Sequence, residues 1–551
     1  MRILHLYVSL TILLLAGIFF IPFLGNVHLF DWDEVNFAES AREMIVTGNY
    51  SRVQINFTPF WEKPPLFFWM QTTCMHIFGI NEFSARLPNA IGGIVTLLLL
   101  FFLGRKFFNI RFGIFWALAY AGSFLPHFYF KSGIIDPWFN LFIFLSILFL
   151  VILTSLSVNF YFQRLQFAFL SGLSIGLAIL TKGPAALVIL LLSIGVYMIV
   201  NRTWRLFSIR ETLIFFASAL VINFLWFAVE TFQHGPWFLK EFIVYQIRLF
   251  RTEDAGHGGP FFYHFIVLLI GCFPASVFAL KSFRKFYSDN PLQNNFRVWM
   301  TISFFVVLIL FSILRTKTVH YSSFTYFPIS FLAAYTLNKA RLKRVHFRSL
   351  VPGLILVIGS VISIILVAFP LLMKNIDSIL DQYGHLIEDD FALATLEANL
   401  YWSGTEIWIG IFYFIIILLV FINFHKQVLT WSLVLFSATI IVIQAGIYTF
   451  IPRVEEFVQG ANIEFFKSVA EANAYVDVYG YKSYAHLFYG KRMPEELPQA
   501  ADKHYLLHGD INRPVYISTK IHLKRDLADH PDFTELFSKN GFVFYRRGSK
   551  E

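Results

Sequence analysis

Charged residues are scarce in this chain. They make up 14% of its 551 residues, whereas a typical soluble domain carries about 25%. Apolar side chains account for 57% of the sequence, and the mean hydropathy is +0.62. This composition excludes a soluble globular protein and predicts an integral membrane protein.

Cysteine is also rare, and the basic residues form no continuous stripe. Cys74 and Cys272 lie in or beside apolar stretches, which excludes a disulfide framework and a CxxC metal site. The net charge of +9 comes from basic residues that recur between apolar runs, so a nucleic-acid partner is not expected. The 68 phenylalanines are predicted to face lipid and to fill gaps between helices, and they imply no organic cofactor.

Apolar stretches of near-spanning length recur and predict about thirteen transmembrane helices. Their approximate bounds are 5–24, 86–103, 112–130, 137–155, 166–181, 184–200, 212–232, 262–281, 298–314, 321–337, 349–372, 406–424 and 428–450. The two stretches within 166–200 also fit one pair broken at Gly183 and Pro184. The first stretch lacks a small-residue cleavage site, which predicts a retained anchor.

Lysine and arginine concentrate in alternate loops, which predicts that these loops and the N-terminus face the cytoplasm. The residues concerned are Arg105, Lys106, Arg111, Arg202, Arg205, Arg210, Arg284, Lys285, Lys339, Arg341, Lys343, Arg344 and Arg348. The remaining loops are therefore predicted to face outward, together with the C-terminal tail. They are 25–85, 131–136, 181–183, 233–261, 315–320 and 373–405, and the tail is 451–551.

The composition changes after Pro452, where helix-like and strand-like segments alternate. YVDVYGY, PVYIS and FVFYRR predict strands, and GANIEFFKSVAEA, YKSYAHLFYG and HLKRDLADHPDFTELFSKN predict helices. Two domains are therefore predicted, a transmembrane domain over 1–450 and a small extracytoplasmic α/β domain over 451–551. The second carries no glycine-rich phosphate loop and no metal-ligand spacing, and a capping or acceptor-recognition role is the default for it.

The first long polar interval runs from Phe30 to Pro65 and is rich in acidic residues. It contains an amphipathic helix whose apolar positions are Phe37, Ala41, Met44 and Ile45 and whose polar positions are Asn36, Glu39, Ser40 and Glu43. Asp33 and Glu34 fall in its first turn, where the helix dipole favours anions, and Gly48 suits its end. A helix of this kind beside a span is predicted to lie on the bilayer surface. On the residues alone, a solvated loop with a capped helix is the alternative.

The pattern D-E-x-x-x-A-E-x-A-R-E-M over residues 33–44 is followed by F-W-E-K-P-P over residues 60–65. This combination resembles the polyprenyl-phosphate-sugar-dependent glycosyltransferases of the GT-C superfold. Within them it is similar to the lipid A aminoarabinose transferase, with the protein O-mannosyltransferases as more distant relatives. The resemblance covers about the first 340 residues well and the rest only in architecture.

The resemblance assigns the catalytic role to Asp33, with Glu34 in support. A base that takes the proton of an acceptor hydroxyl contributes about 10²–10⁴-fold in rate. If the acceptor is a phosphate, Asp33 would instead orient it or stabilise positive charge on the sugar. Asp136 corresponds to a second acidic residue of the family, although the Pro137 that follows it departs from the pattern. For both aspartates, a helix-end cap is the alternative.

Lys63 and Lys182 are the candidate ligands of the donor phosphate, because an ammonium at the interface is a point charge for phosphate. The family resemblance assigns Lys63 to this role through its Glu-Lys-Pro-Pro context. Lys317 and Tyr321 lie in a further basic loop, RTKTVHY, which is similar to the K-x-x-x-Y-x-x-P segment of these enzymes. For a lone lysine near a helix end, ordinary snorkelling is the alternative.

Some members of the family hold a divalent metal between the glutamate of Glu-Lys-Pro-Pro and a histidine of an H-x-G-P segment. The matching residues here are Glu62 and His257. Two ligands make an incomplete site that water or the donor phosphate would have to finish. An ordinary surface histidine is the alternative for His257.

Together these observations predict an all-α polytopic membrane protein of the GT-C type with a small C-terminal α/β domain. The predicted reaction moves a sugar from a polyprenyl phosphate donor, such as undecaprenyl phosphate, to an envelope acceptor at the periplasmic face of a bacterial inner membrane. The acceptor classes left open are lipid A, another glycan and protein. A lipid or sugar transporter is the main alternative, but transporters carry ionisable groups at mid-membrane, and here the acidic residues lie at one surface. A non-catalytic scaffold that presents residues 451–551 is a second alternative.

Overall fold

The computed structural model describes residues 2–251, 258–283, 290–342, 347, 349–398 and 400–549. The predicted metal ligand His257 lies outside the described residues, and so do Arg284, Lys285, Lys343, Arg344 and Arg348. Helices dominate the described part of the chain, as predicted from its composition.

In the described part of the chain, twenty α-helices begin before residue 450. They are α1 (Arg2–Phe20), α2 (Asp33–Thr47), α3 (Leu66–Phe78), α4 (Glu82–Phe107), α5 (Ile110–Ala121), α6 (Phe124–Tyr129), α7 (Asp136–Ser155), α8 (Tyr161–Lys182), α9 (Ala185–Val200), α10 (Ile209–His234), α11 (Trp237–Arg251), α12 (Tyr263–Gly271), α13 (Ala275–Ala279), α14 (Pro291–Ile313), α15 (Tyr326–Arg341), α16 (Leu350–Lys374), α17 (Ile376–Tyr383), α18 (Asp390–Leu396), α19 (Ile407–Asn423) and α20 (Val428–Thr449). Short 3₁₀ turns extend this set at Leu280–Phe283, Val319–Thr325 and Gly384–Leu386.

Seven of the described helices are long and apolar enough to cross a bilayer, and one bent pair adds an eighth. They are α4, α7, α8, α10, α14, α16 and α20, and the bent pair runs from α12 into α13. Shorter apolar helices include α5, α9 and α19. The chain is therefore a multi-pass membrane protein, and the count of thirteen spans stays a prediction.

Three predicted spans are not single straight helices. The stretch 112–130 is divided between α5 and α6 by Gly122 and Ser123. The stretch 262–281 bends by 108° between α12 and α13. The stretch 321–337 begins as the 3₁₀ turn Val319–Thr325 before α15. In each case the apolar residues are continuous in sequence, but the helix is interrupted. Hydropathy could not predict the interruption, because it reports which residues are apolar and not the course of the backbone.

Aromatic rings fill the interior of the helix bundle. The ring of Trp116 lies 5.1 Å from that of Phe331 and 5.9 Å from that of Phe144. On the outer face of α10, by contrast, Phe224 and Phe232 are 69% and 93% exposed. An exposed apolar face of this kind suits contact with lipid, as predicted for the phenylalanines.

The C-terminal segment, residues 461–547, contains a four-stranded mixed sheet. Two short strands, β1 (Gln54–Ile55) and β2 (Thr58–Pro59), precede it in the chain. The strands of the sheet are β3 (Tyr475–Tyr479), β4 (Val515–Lys520), β5 (Phe533–Lys539) and β6 (Phe542–Arg547), in the order β3-β4-β6-β5. The helices before and within the segment are α21 (Ile451–Glu455), α22 (Ala461–Val469), α23 (Ala485–Phe488), α24 (Lys503–His508) and α25 (Lys524–Ala528). β3 and β4 pair in parallel, and β6 pairs antiparallel with both β4 and β5.

The prediction of one helix over residues 522–540 is wrong. That stretch contains the short helix α25 and then β5, which forms a hairpin with β6. Lys539 pairs with Phe542, so Asn540 and Gly541 form a two-residue turn in which both have positive φ. An Asn-Gly pair is the favoured sequence for this turn.

Candidate active site

The loop 25–85 is called the first loop here. It contains α2, followed by the hairpin of β1 (Gln54–Ile55) and β2 (Thr58–Pro59). Asp33 is the first residue of α2, and Gly48 ends the helix in the left-handed conformation with φ of 68°, both as predicted. The residue at the N-cap is Trp32, and no side chain caps the helix there. The carboxylate of Asp33 therefore does not serve as the helix cap.

The apolar face of α2 packs as predicted. The ring of Phe37 lies 6.2 Å from that of Phe67 and 5.7 Å from that of Phe68 in α3. Met44 and Ile135 belong to the same buried cluster. This packing fixes α2 against the start of the helix that follows the Glu-Lys-Pro-Pro segment.

The polar face of α2 is also buried, which does not fit the alternative of a solvated loop. The location of α2 on the bilayer surface stays a prediction. Both carboxylate oxygens of Glu39 accept hydrogen bonds from Arg42 at 2.7 Å, and Arg42 also donates to the carbonyl of Arg492 at 2.7 Å. Glu43 accepts a hydrogen bond from the backbone N–H of Phe57 at 2.9 Å. The C-terminal segment covers this face, which a pattern analysis of the first loop alone does not reveal.

Glu34 forms a buried two-bond ion pair with Arg86 of α4. Arg86 donates to its two oxygens at 3.1 and 2.7 Å. The remaining hydrogen bonds of Arg86 go to the carbonyls of Leu24, Val27 and His28. Burial alone would raise the pKa of Glu34, but the charge and hydrogen bonds of Arg86 lower it, so Glu34 stays ionised.

Glu34 also accepts hydrogen bonds from the backbone N–H groups of Phe30 and Gly133. Gly133 belongs to the short loop that leads into Asp136. Every oxygen of Glu34 is thus engaged, and the residue ties the start of α2 to the loop 131–136. These contacts fix the position of Glu34 between α2 and the loop 131–136. Its support of Asp33 in catalysis stays a prediction.

Five polar side chains from four separate parts of the chain meet at one end of the helix bundle. They are Asp33, Lys63, Asp136, Lys182 and His320, called the central cluster here. Burial lowers the pKa of Lys63, the neighbouring Glu62 opposes this shift, and the charges of Lys182, Asp33 and Asp136 also act on it. Burial likewise lowers the pKa of His320, with contributions from Lys182, Asp136, Asp33 and Lys63. The predicted residues Asp33, Lys63, Asp136 and Lys182 therefore lie within electrostatic reach of one another.

Asp136 and Lys182 are in direct contact. The ammonium of Lys182, in the last turn of α8, lies 2.6 Å from Oδ1 of Asp136, in the first turn of α7. The ammonium also lies 5.8 Å from the ring centroids of Phe139 and Tyr321. These contacts place Tyr321 beside the cluster, as predicted, and show that Lys182 does not simply snorkel into water.

Lys317 points elsewhere. Its ammonium donates hydrogen bonds to the carbonyls of Phe311, Ser312 and Leu314 at the end of α14. An ammonium has three N–H donors, and these carbonyls use all of them. In this structure Lys317 stabilises a helix end, and its role at the donor phosphate stays a prediction.

The predicted metal pair is only partly described. Glu62 is half-buried beside Lys63, and His257 lies outside the described residues. Within the ranges that the structure covers, no three histidine, cysteine, aspartate or glutamate side chains are close enough together to hold a metal ion. The described residues do not make a metal centre by themselves.

Three residues of the site were not singled out from the sequence. Arg86 lies at the start of a predicted span, and its partner Glu34 is 52 residues away along the chain. His320 was noted only as part of a basic loop. Tyr484 comes from the C-terminal segment, and its pKa is raised to about 12 by burial and by Glu62, Asp31 and Asp33. No local signal in the sequence links any of them to Asp33.

The arrangement offers two ammonium groups and two carboxylates at the end of an apolar bundle. Ammonium groups in such a place can hold a phosphate. A carboxylate at the same place can accept a proton or stabilise a developing positive charge.

The structure as a whole is similar to a crystal structure of ArnT from Cupriavidus metallidurans bound to undecaprenyl phosphate, with a TM-score of 0.74. The similarity covers 99% of this chain and 97% of that one, at 17% sequence identity. The chain has the ArnT fold. The apo crystal structure of the same ArnT aligns with a TM-score of 0.72 at 18% identity. At these identities the likeness establishes the fold alone.

Sequence comparisons lead to the same group of proteins. The family model described as dolichyl-phosphate-mannose-protein mannosyltransferase matches residues 62–229. An undecaprenyl phosphate-alpha-4-amino-4-deoxy-L-arabinose arabinosyl transferase of Wigglesworthia glossinidia brevipalpis is 24% identical over 61% of this chain, and the match spans 59% of that relative. Its counterpart in Pectobacterium carotovorum is 25% identical over 66% of this chain, and 65% of that relative is spanned. An uncharacterized protein of Aquifex aeolicus is 28% identical over 63% of this chain. The predicted resemblance to GT-C glycosyltransferases with lipid-linked donors is confirmed.

Proposed function

We propose that this protein is a glycosyltransferase that moves a sugar from a polyprenyl phosphate, such as undecaprenyl phosphate, to an acceptor in the cell envelope. The observation that supports it most is the central cluster, where Asp33 and Asp136 meet Lys63 and Lys182 at one end of an ArnT-type bundle. The cluster unites the acids and the cations that the reaction needs.

In the proposed reaction the donor phosphate lies between Lys63 and Lys182. Both ammonium groups then stabilise the charge that grows on the phosphate oxygen as its bond to the anomeric carbon breaks. The hydrophobic polyprenyl chain extends along the apolar outer faces of the helices. Lys63 has a lowered pKa through burial, and the arrival of the anionic phosphodiester of the donor favours its charged form.

Asp33 is the proposed base. An acceptor hydroxyl attacks the anomeric carbon, a new carbon–oxygen bond forms, and the hydroxyl proton passes to the carboxylate of Asp33. If the acceptor group is already an anionic phosphate, Asp33 instead stabilises the positive charge on the sugar. A single in-line displacement inverts the configuration at the anomeric carbon. The acceptor is lipid A, another glycan or protein.

The proposed site faces the periplasm, and the protein resides in the bacterial inner membrane with thirteen spans. The distribution of lysine and arginine supports this orientation. Further support comes from Asp33, Asp136, Lys182 and the C-terminal segment, which all lie at the same end of the bundle. A reporter that is active only outside the cytoplasm is expected to be active after residue 455 and inactive near residue 343. The reverse result would overturn the orientation.

A divalent metal bound through Glu62 and His257 remains part of the proposal. When bound, the metal would supply positive charge next to the donor phosphate. The steps assigned to Asp33, Lys63 and Lys182 do not depend on it.

The direct test uses purified protein in liposomes with a labelled polyprenyl-phosphate sugar and an envelope lipid extract. We expect the label to move to an acceptor while free polyprenyl phosphate accumulates. Movement of the labelled lipid across the bilayer without any new glycosidic bond would support the transporter instead. Mass spectrometry of lipid A and envelope glycans from a deletion strain would identify the acceptor.

A further inference from the structure

His320 is the member of the central cluster that has no part in the reaction as proposed so far. It lies in the 3₁₀ turn Val319–Thr325, which precedes α15. The side chain is partly buried, and the charges of two lysines and two aspartates, which are the other four members of the cluster, all act on it. The imidazole is therefore close to the same groups that would surround the donor phosphate.

Two hydrogen bonds hold this turn against the helix bundle. Asn140 of α7 donates to the hydroxyl of Ser323 at 2.8 Å, and Ser323 in turn donates to the carbonyl of His320. The ring centroid of Tyr321 lies 5.0 Å from that of His320 and 5.8 Å from the ammonium of Lys182. The backbone at His320 is thus fixed to α7, whose first residue belongs to the central cluster.

The two ring nitrogens of His320 have different surroundings. Nε2 lies 3.3 Å from the hydroxyl oxygen of Thr318, whereas Nδ1 makes no hydrogen bond within the described ranges. Nδ1 is also not enclosed, so a ligand can reach it. A neutral imidazole carries its proton on either nitrogen, and a hydroxyl can donate or accept. When the hydroxyl of Thr318 donates to Nε2, the proton is on Nδ1, which is then an unused donor.

The imidazole stays neutral beside two ammonium groups. Burial lowers the pKa of His320, and the charge of Lys182 lowers it further, although the charges of Asp136 and Asp33 oppose this shift. A third cation in this place would form an ion pair with a carboxylate of the cluster and compete for the proposed base. A neutral N–H donor instead stabilises an anionic ligand and leaves Asp33 available.

We propose that Nδ1–H of His320 donates a hydrogen bond to a phosphate oxygen of the polyprenyl donor, and that this bond strengthens as the phosphate leaves. The bond between the anomeric carbon and the phosphate oxygen breaks, and its electron pair stays on the phosphate. A phosphodiester with one negative charge thereby becomes a phosphate monoester with up to two. A fixed donor that contacts growing charge stabilises the transition state more than the bound donor.

No proton moves to or from His320 in this step. The assignment rests on the proposed transfer reaction, because it concerns the phosphate that this reaction releases. It is the same for an acceptor hydroxyl and for an acceptor phosphate, since both displace the same leaving group. It makes His320 a third ligand of the phosphate, beside Lys63 and Lys182.

The first test compares two substitutions that each keep one side of the ring. The amide of asparagine takes the place of Nδ1, and the amide of glutamine takes the place of Nε2. We expect His320→Asn to keep kcat within about tenfold of the wild type and His320→Gln to lower it about 10²–10³-fold, the loss typical for removal of one donor to a developing oxyanion. KM for the donor should change less than kcat. His385→Gln, at an exposed histidine of the loop 373–405, is the control and should transfer sugar as the wild type does.

A purely structural role of His320 predicts the opposite order. If the ring acts only through its contact with Thr318, His320→Gln keeps that contact and stays active, while His320→Asn loses activity. This result would overturn the proposal. Equal losses of kcat in the two variants would overturn it as well, because only asparagine keeps a donor at the place of Nδ1.

The second test measures binding of the released product and does not depend on transfer. Purified protein is titrated with labelled polyprenyl phosphate. We expect the affinity of His320→Gln to be at least about tenfold lower than that of the wild type, the contribution of one charge-assisted hydrogen bond, and the affinity of His320→Asn to be close to it. Equal affinities of the three proteins would overturn the contact. If the wild type transfers no sugar, the proposed function fails, while the expected difference in affinity would still place Nδ1 on the phosphate.

Discussion

Lys182 and Asp136 form an ion pair in which Nζ lies 2.6 Å from Oδ1. The side chain of Asp136 is 4% exposed and that of Lys182 is 17% exposed, so water solvates the carboxylate poorly. The pair joins the end of α8 to the start of α7 at the level of the central cluster. It therefore fixes the ammonium of Lys182 at the place where we propose that the donor phosphate binds.

Replacing Lys182 should destabilise the protein through its partner. Lys182→Met leaves the Asp136 carboxylate buried and unpaired, which costs about 3–5 kcal/mol of the free energy of unfolding. The double variant Lys182→Met/Asp136→Asn removes the stranded charge and should recover most of that loss. Thermal unfolding in detergent measures both. Equal losses in the single and double variants would show that the pair contributes little to stability.

Glu34→Gln should reduce both stability and turnover, because Glu34 connects α2 to the loop that leads into Asp136. The matched control is Glu211→Gln. Glu211 forms a similar ion pair with Arg164, at 2.6 and 3.1 Å, at the other end of α8. Both changes are expected to lower the thermal midpoint, and only Glu34→Gln is expected to lower kcat. If kcat falls equally in both variants, the effect of Glu34 is on stability alone.

Lys63→Ala should weaken binding of the polyprenyl phosphate donor. Loss of one charge-assisted contact costs about 1.5–3 kcal/mol, or about 10- to 150-fold in affinity. Lys240→Ala, a change at an exposed lysine of α11, is the control and should leave donor affinity as it is. Titration of the purified protein with labelled polyprenyl phosphate gives both constants. Unchanged affinity in Lys63→Ala would remove Lys63 from the phosphate site.

Glu43 should make stability depend on pH. Burial and the neighbouring charge of Glu39 raise the pKa of Glu43 from 4.5 to about 9, so the folded protein keeps a proton that the unfolded chain releases. Stability from this group is therefore fully present below about pH 4.5 and is lost as the pH rises towards about 9. The stability of the wild type relative to Glu43→Gln should fall across that window, as followed by thermal unfolding. A constant difference would mean that Glu43 is ionised in the fold.

The sequence predicted the local features of the site well. The first-turn position of Asp33, the end of α2 at Gly48 and the apolar packing of Phe37 all follow from helical periodicity and capping preferences. Alternation of basic loops also placed Lys63, Asp136 and Lys182 at the same end of the bundle. The start, end and apolar face of a helix depend on neighbouring residues, and the side on which a loop lies depends on the number of spans before it.

The tertiary partners could not be predicted in the same way. Glu34 is satisfied by Arg86 and Gly133, which lie 52 and 99 residues away along the chain. The carbonyls that bind Lys317 lie close in sequence, at the end of α14, but no residue pattern marks a lysine that turns back on a helix end. Helical periodicity identified the polar face of α2, but nothing in the first loop indicates that the C-terminal segment covers it. The β5–β6 hairpin, by contrast, had a readable signal in Asn540-Gly541 that the helical pattern of residues 522–540 obscured.

The charge of Asp33 can be removed with little other change. Trp32 occupies the N-cap of α2 and no side chain caps the helix, so Asp33→Asn keeps the shape of the side chain and breaks no cap. Asp377→Asn makes the same change at an exposed first-turn aspartate of α17 and is the matched control.

The most direct test of the proposed catalysis is the rate of sugar transfer from polyprenyl phosphate by these two purified variants. The account predicts normal expression of both, wild-type transfer by Asp377→Asn, and a loss of about 100-fold or more in Asp33→Asn, because an amide can neither accept the proton nor stabilise a cationic sugar. Wild-type transfer by Asp33→Asn would contradict the assignment of Asp33 as the catalytic residue.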